Sequence, residues 1–145
     1  MKDLDWSNLS FGYRQTDYNV RCYYRDGKWG EIEVCSDEYL KLHMAATCLH
    51  YGQEAFEGLK AYRCPDGKVR VFRMDENAKR LQSTCRGILM PEVPTEMFEE
   101  MVKKVVRLNQ EWIPTYESGA TLYIRPLLIG TSAQVGVHPS KEYCF

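Results

Sequence analysis

No stretch of this chain is apolar enough to cross a bilayer: runs such as Leu127 to Gly130 fall far short of the roughly 20 residues a spanning helix needs. The start, Met1-Lys2-Asp3-Leu4-Asp5-Trp6, lacks the apolar run of a signal peptide. Charge of one sign is missing too, since 19 Lys and Arg face 20 Asp and Glu for a formal net charge of -1. That balance leaves no broad field to draw in nucleic acid or a membrane surface. The expected partner is a small or neutral ligand, or another protein, in a cytoplasmic setting. There is no C-x-x-C pair: Cys22, Cys35, Cys48, Cys64, Cys85 and Cys144 are scattered and read as reduced thiols at half-buried positions. His43, His50 and His138 are isolated, with no metal-ligand spacing, so no metal site is expected. Internal repeats and low-complexity linkers are absent as well. What is present, 145 residues that are 44% hydrophobic and 12% aromatic, suffices for one domain with a real core.

Residues 1–16 are polar and read as an irregular N-terminal extension, with the domain proper at 17–145. Tyr18 to Tyr24 and Lys28 to Val34 are aromatic and β-branched runs separated by Asp26-Gly27, a hairpin signature. Phe56 to Arg63 and Lys68 to Arg73 repeat the pattern around Pro65-Asp66-Gly67. Asp75 opens a helical stripe of Ala78, Leu81, Cys85 and Ile88 that ends before Pro91. Thr95 opens a second helix, carrying Phe98, Met101, Val102, Val105 and Val106 inward, with glutamates early and Lys103, Lys104 and Arg107 late, as the helix dipole favours. Pro114 and the Tyr116-Glu117-Ser118-Gly119 turn stop it, and Ala120 to Ile129 reads as one strand. Strands, two helices, then strands describe an α+β domain, an antiparallel sheet with two helices packed on one face. Glu142 to Phe145 looks like the start of a further strand, unterminated and with unpaired backbone groups, and so predicts self-association or limited solubility.

Alternation assigns faces within these strands. Leu122, Ile124 and Leu128 point one way, and Tyr123 and Arg125 the other; a guanidinium beside a phenol suits a planar anion, though a surface arginine stacked on a tyrosine reads the same way. Phe56, Gly58, Lys60 and Tyr62 share one face. Glycine weakens a strand, so Gly58 marks either a β-bulge or a close approach by a ligand or another backbone. Arg80 sits at the edge of the first helix's apolar stripe, where it can hold an anion or simply be solvated like Lys79 and Arg86.

In order and spacing, Tyr51, Phe56-Glu57-Gly58-Leu59-Lys60-Ala61-Tyr62, Arg80, Leu122-Tyr123-Ile124-Arg125-Pro126 and Val135-Gly136-Val137 resemble the branched-chain amino-acid aminotransferases over roughly residues 10–145. The resemblance implies the small N-terminal domain of that fold type and pyridoxal 5'-phosphate as cofactor, with Arg80 on its phosphate. Phe56, Tyr123 and Tyr51 would wall an apolar pocket, and Arg125 and Lys60 would serve the substrate carboxylate or a supporting hydrogen bond. Val135 and Val137, with Tyr51, would reach toward the other subunit of a homodimer. The substrates implied are leucine, isoleucine and valine, their 2-oxo acids, and 2-oxoglutarate with glutamate. The lysine that carries the cofactor and the carboxylate facing its ring nitrogen would lie in a second domain beyond residue 145, so these residues alone are expected to be inactive. D-amino-acid transamination, aminodeoxychorismate lysis and a non-enzymatic binding module are the competing readings; the full set of motifs speaks against the first two.

Overall fold

The computed structural model describes residues 1–145. Its strands are β1 (Asn19–Arg21), β2 (Tyr23–Arg25), β3 (Lys28–Trp29), β4 (Glu33–Cys35), β5 (Glu54–Phe56), β6 (Leu59–Arg63), β7 (Val69–Val71), β8 (Leu122–Ile124), β9 (Leu127–Gly130) and β10 (Tyr143–Cys144). The helices are α1 (Thr47–Tyr51), α2 (Met74–Gly87) and α3 (Thr95–Leu108). All strand pairs are antiparallel, which bears out the α+β expectation, but they form three small sheets rather than one: β1-β4, β3-β2-β10-β9-β5 and β7-β6-β8.

Of the five long strands read from the sequence, all but Lys68 to Arg73, which is β7 alone, are broken where the chain changes sheets. In the first hairpin, Asp26 and Gly27 take φ of 51° and 76°, as a type I′ turn requires. Tyr24 then faces Trp29, yet Arg21 faces Glu33, so the returning side carries one extra residue. That bulge frees Cys22, whose N–H and C=O both pair with Phe145 at 2.8 Å. The expected strand over residues 120–129 is likewise two strands, divided at Arg125-Pro126, because proline has no N–H to give a ladder. The strand expected over Phe56 to Arg63, which the structure pairs with it, divides at Glu57-Gly58, and the two breaks are bonded to each other, Glu57 N–H to the Pro126 carbonyl at 2.9 Å. The seam between the five-stranded and three-stranded sheets runs through these residues.

The unterminated edge expected at the C-terminal end is also corrected. β10 lies in the middle of its sheet, between β2 and β9, and Tyr143 and Phe145 are 2% and 8% exposed. Its backbone is paired on both sides, so it gives no reason to expect self-association.

The helices follow their periodicity. α2 buries Ala78, Leu81 and Cys85, but Ile88, expected on the same stripe, is the residue just past the helix and is exposed. α3 buries Phe98, Met101, Val102 and Val106, with Val105 half-buried. The two helices pack on each other, α3 against β1 and α2 against β5. Together with Ile113, Leu128, Tyr143 and Phe145 they close one apolar core, the main source of stability in a domain this size. No helix is long and apolar enough to cross a membrane. All six cysteines are free, with Cys22, Cys85 and Cys144 fully buried rather than half-buried.

Candidate functional site

The seam between the sheets gathers most of the residues singled out from the sequence. Parity puts Phe56, Gly58, Lys60 and Tyr62 on the open face and Ala55, Glu57, Leu59 and Ala61 inside. Across the ladder Lys60 is paired with Tyr123. On β8 and its continuation, Ile124 and Leu128 are buried while Arg125 is exposed, as alternation predicts. The Arg125 guanidinium lies 4.2 Å from the Phe56 ring centroid and 5.3 Å from that of Tyr123. Its Nε donates to the Tyr123 hydroxyl at 3.0 Å. A cation stacked between two aromatic rings is held without being neutralised, so it remains available to an anion.

Gly58 has its explanation here. A Cβ at that position would sit 2.6 Å from the Tyr123 hydroxyl and 3.3 Å from two ring carbons. What approaches closely is the tyrosine ring from the neighbouring strand, and only glycine leaves it room.

Arg80 joins the seam through Glu57. Its Nε donates to Glu57 Oε1 at 2.8 Å and its Nη2 to Oε2 at 2.6 Å, while Asn77 Nδ2 reaches Oε2 at 2.9 Å. Glu57 is 3% exposed and the Arg80 side chain 68%. Burial pushes the Glu57 carboxyl up, but the hydrogen bonds from Arg80 and Asn77 and the Arg80 charge outweigh it and hold it below the usual carboxylate range. Glu57 in turn holds the Arg80 guanidinium above its ordinary value. Arg80 Nη1 has no partner within the chain, so a phosphate fits there by charge-assisted hydrogen bonding. Lys60 is the lysine of this cluster.

A second group stands apart. The Tyr51 hydroxyl donates to the Val135 carbonyl, and Tyr51, Val135 and Val137 are all exposed, the two valines at 72% and 86%. The loop that carries the two valines leaves β9 at Gly130, at the Glu54 end of β5, and Tyr51 closes α1 just before that end, whereas the first cluster lies at the Phe56 end. No hydrogen bond, strand pair or ring contact joins the two groups. The loop is shaped from within: Ser132 Oγ accepts from the N–H of Lys141 and of Glu142, Ser140 Oγ from the N–H of Ser132, and Gln53 Oε1 from the N–H of Ser140.

Three contributors escaped the sequence reading. Glu57 carried a usable signal, a carboxylate on the inward parity of a strand, which must find a cation and hydrogen-bond donors. Asn77 follows from it. Phe11, within the polar extension, meets the Tyr123 ring edge-on at 5.2 Å between centroids; nothing local marked it.

No family model matches the chain. Over all its residues it is 52% identical to a branched-chain-amino-acid aminotransferase of Haemophilus influenzae and 46% identical to one of Helicobacter pylori. It spans only 42% and 43% of the length of those two relatives. Among solved structures, it aligns at TM-score 0.63 and 26% identity with a T.th. branched-chain amino acid aminotransferase with pyridoxamine 5'-phosphate, over 90% of this chain and 39% of that one. A branched-chain aminotransferase from Thermoproteus uzoniensis with norvaline aligns at TM-score 0.64 and 22% identity, over 88% and 39%.

Proposed function

The chain belongs over its whole length to the branched-chain aminotransferase family, and from that premise we propose that residues 17–145 form the substrate-selecting N-terminal domain of a longer transaminase. Its substrates are leucine, isoleucine and valine, their 2-oxo acids, and the 2-oxoglutarate/glutamate pair. The observation that carries this reading is the seam itself, where the rings of Phe56 and Tyr123 flank a stacked but unneutralised Arg125, and where Arg80 is tied in by Glu57 with one nitrogen free.

Each residue's role follows from its chemistry. Phe56 and Tyr123, with Phe11 against Tyr123, form an apolar wall for a branched side chain. A methylene is worth only about 1 kcal/mol on burial, so selection among aliphatic substrates rests on the shape of that wall. Arg125 orients the substrate carboxylate, and Lys60, opposite Tyr123, adds positive charge beside it. Pyridoxal 5'-phosphate, when bound, supplies the electron sink for chemistry at the amino acid's α-carbon. Arg80 would hold its phosphate end, Nη1 being the terminal nitrogen that Glu57 does not occupy. The lysine that would carry the cofactor is proposed to lie outside these residues, which makes the 145-residue chain inactive alone. Tyr51, Val135 and Val137 stand at the far end of β5 from the seam, and this separation supports a homodimer in which they complete the neighbouring copy's pocket. Six free cysteines support a reducing, cytoplasmic setting.

The test is glutamate formation from leucine and 2-oxoglutarate by the family-length polypeptide that carries residues 1–145. Turnover that collapses on Arg80→Met and shifts preference away from leucine on Phe56→Ala supports the assignment. A polypeptide that takes D-alanine but not leucine overturns it.

A further inference from the structure

Six of the chain's ion pairs involve basic residues of α2 or its flanks, and most link partners that both face water. Arg73 and Lys79 pair with Asp75 and Glu76, and Arg86 with Glu92, carboxylates that are 37% to 54% exposed. Arg80 differs, because its carboxylate is 3% exposed and sits at the seam between two sheets. Exposed pairs fluctuate and hold little geometry. A buried carboxylate is another matter: its backbone N–H is bonded to Pro126, its Oε2 accepts from Asn77, and its two oxygens face two nitrogens of one rigid fork. The carboxylate cannot leave without stranding a buried charge, so the guanidinium is the part that is positioned.

We propose that Glu57 is a positioning residue that grips Arg80 by its Nε–Nη2 edge, so that a phosphate is met by the Nη1 end alone. This rests on the reading of Arg80 as the phosphate-binding residue. A flexible arginine offers a phosphate any of its edges and must be ordered when the ligand arrives; here the ordering is done beforehand by the protein. The Glu57 charge also opposes an incoming anion, yet at a site open to water that opposition is small against the loss of a defined donor geometry. Charge and geometry therefore predict opposite signs for Glu57→Gln: tighter binding if charge dominates, weaker if positioning does.

The experiment follows Arg80 side-chain N–H resonances in the 145-residue chain during titration with pyridoxamine 5'-phosphate, which needs no lysine, against pyridoxamine without the phosphate. Expected in the unsubstituted chain is an Arg80 Nε–H protected from solvent exchange before and after ligand, while the Nη1 resonances alone shift. Glu57→Gln and Glu57→Asp, the latter one methylene too short to reach Arg80 from the same backbone position, should each lose that protection and weaken binding about fivefold. An Nε–H that exchanges freely, a pair that ligand breaks, or a Glu57→Gln chain that binds as well as or better than the parent overturns the proposal. Should either variant fail to fold, the unsubstituted chain's Nε–H still decides. If Arg80→Met binds the ligand undiminished, the phosphate assignment of Arg80 falls instead, an outcome separate from the state of the Glu57 pair.

Discussion

Gly58→Ala offers a direct test of how the seam is packed, since both its size and its sign can be worked out. The added Cβ would lie 2.6 Å from the Tyr123 hydroxyl, whereas ordinary contact begins near 3.4 Å, so the oxygen must retreat by about 0.8 Å. The same oxygen accepts from Arg125 Nε at 3.0 Å, and a retreat of that size away from Arg125 stretches the bond beyond hydrogen-bonding range. Losing it removes about 1 kcal/mol, and the displaced ring adds about another 1 kcal/mol of overpacking strain. Against this, Gly58 does not have a positive φ, so alanine recovers roughly 0.5–1 kcal/mol of backbone entropy. Gly58→Ala should therefore destabilise the chain by about 1–1.5 kcal/mol on these figures. In a Tyr123→Phe background the hydroxyl is gone, and the ring carbons at 3.3 Å need yield only slightly. There the same substitution should be neutral or mildly stabilising. Urea denaturation of the four chains in a double-mutant cycle measures the difference. If Gly58→Ala is equally harmful with and without the Tyr123 hydroxyl, the close approach assigned to this pair is wrong.

The Glu57–Arg80 pair makes a pH prediction with a definite sign. The folded Glu57 carboxyl is held below its usual range, so its contribution is fully present above the ordinary carboxylate value and is lost as pH falls through the lower folded one. Arg80→Met should thus destabilise by about 1–3 kcal/mol at pH 7, the low end reflecting Arg80's exposure to water, and by clearly less near pH 3. Urea midpoints at the two pH values check it, and an effect that grows on acidification refutes it. Tyr143→Ala empties a site that is 2% exposed in the middle of the largest sheet and should cost about 3–5 kcal/mol, read from the same denaturation curves. Ser132→Ala strands the N–H groups of Lys141 and Glu142. It should destabilise by about 1–3 kcal/mol and speed hydrogen exchange at those two amides before any others; unchanged exchange there contradicts the part given to Ser132 in shaping the loop.

What the sequence made legible was local: the Asp26-Gly27 turn, the two long helices with their buried stripes, and the two faces of residues 122–128 all follow from period and turn chemistry. What it hid was the change of partner along a strand. Cys22 leaves its hairpin because Phe145, more than a hundred residues away, takes its backbone groups, and no local pattern can name such a partner. Residues 143–145 looked like a loose end for the same reason, since the centrality of β10 exists only once β2 and β9 lie on either side. Pro126 was the exception, a local mark against an unbroken strand.

These breaks and the site have one cause. Where β5 passes into β6 and β8 into β9, alternation carries across the gap, so Phe56 and Lys60 stay on the open face while Glu57 is turned inward between sheets. A continuous strand would have buried Glu57 against its own sheet with no route for Arg80 of α2 to reach it. The break opens that route, and the aromatic residues on either side keep Arg125 in reach of the same spot. The Arg125 and Arg80 guanidinium groups are thus both held by one architectural feature. A substitution that restores ladder continuity, such as Pro126→Val, should disturb the settings of Arg125 and Arg80 together, read as changed side-chain N–H resonances of both, even though residue 126 is buried and bonded to neither side chain.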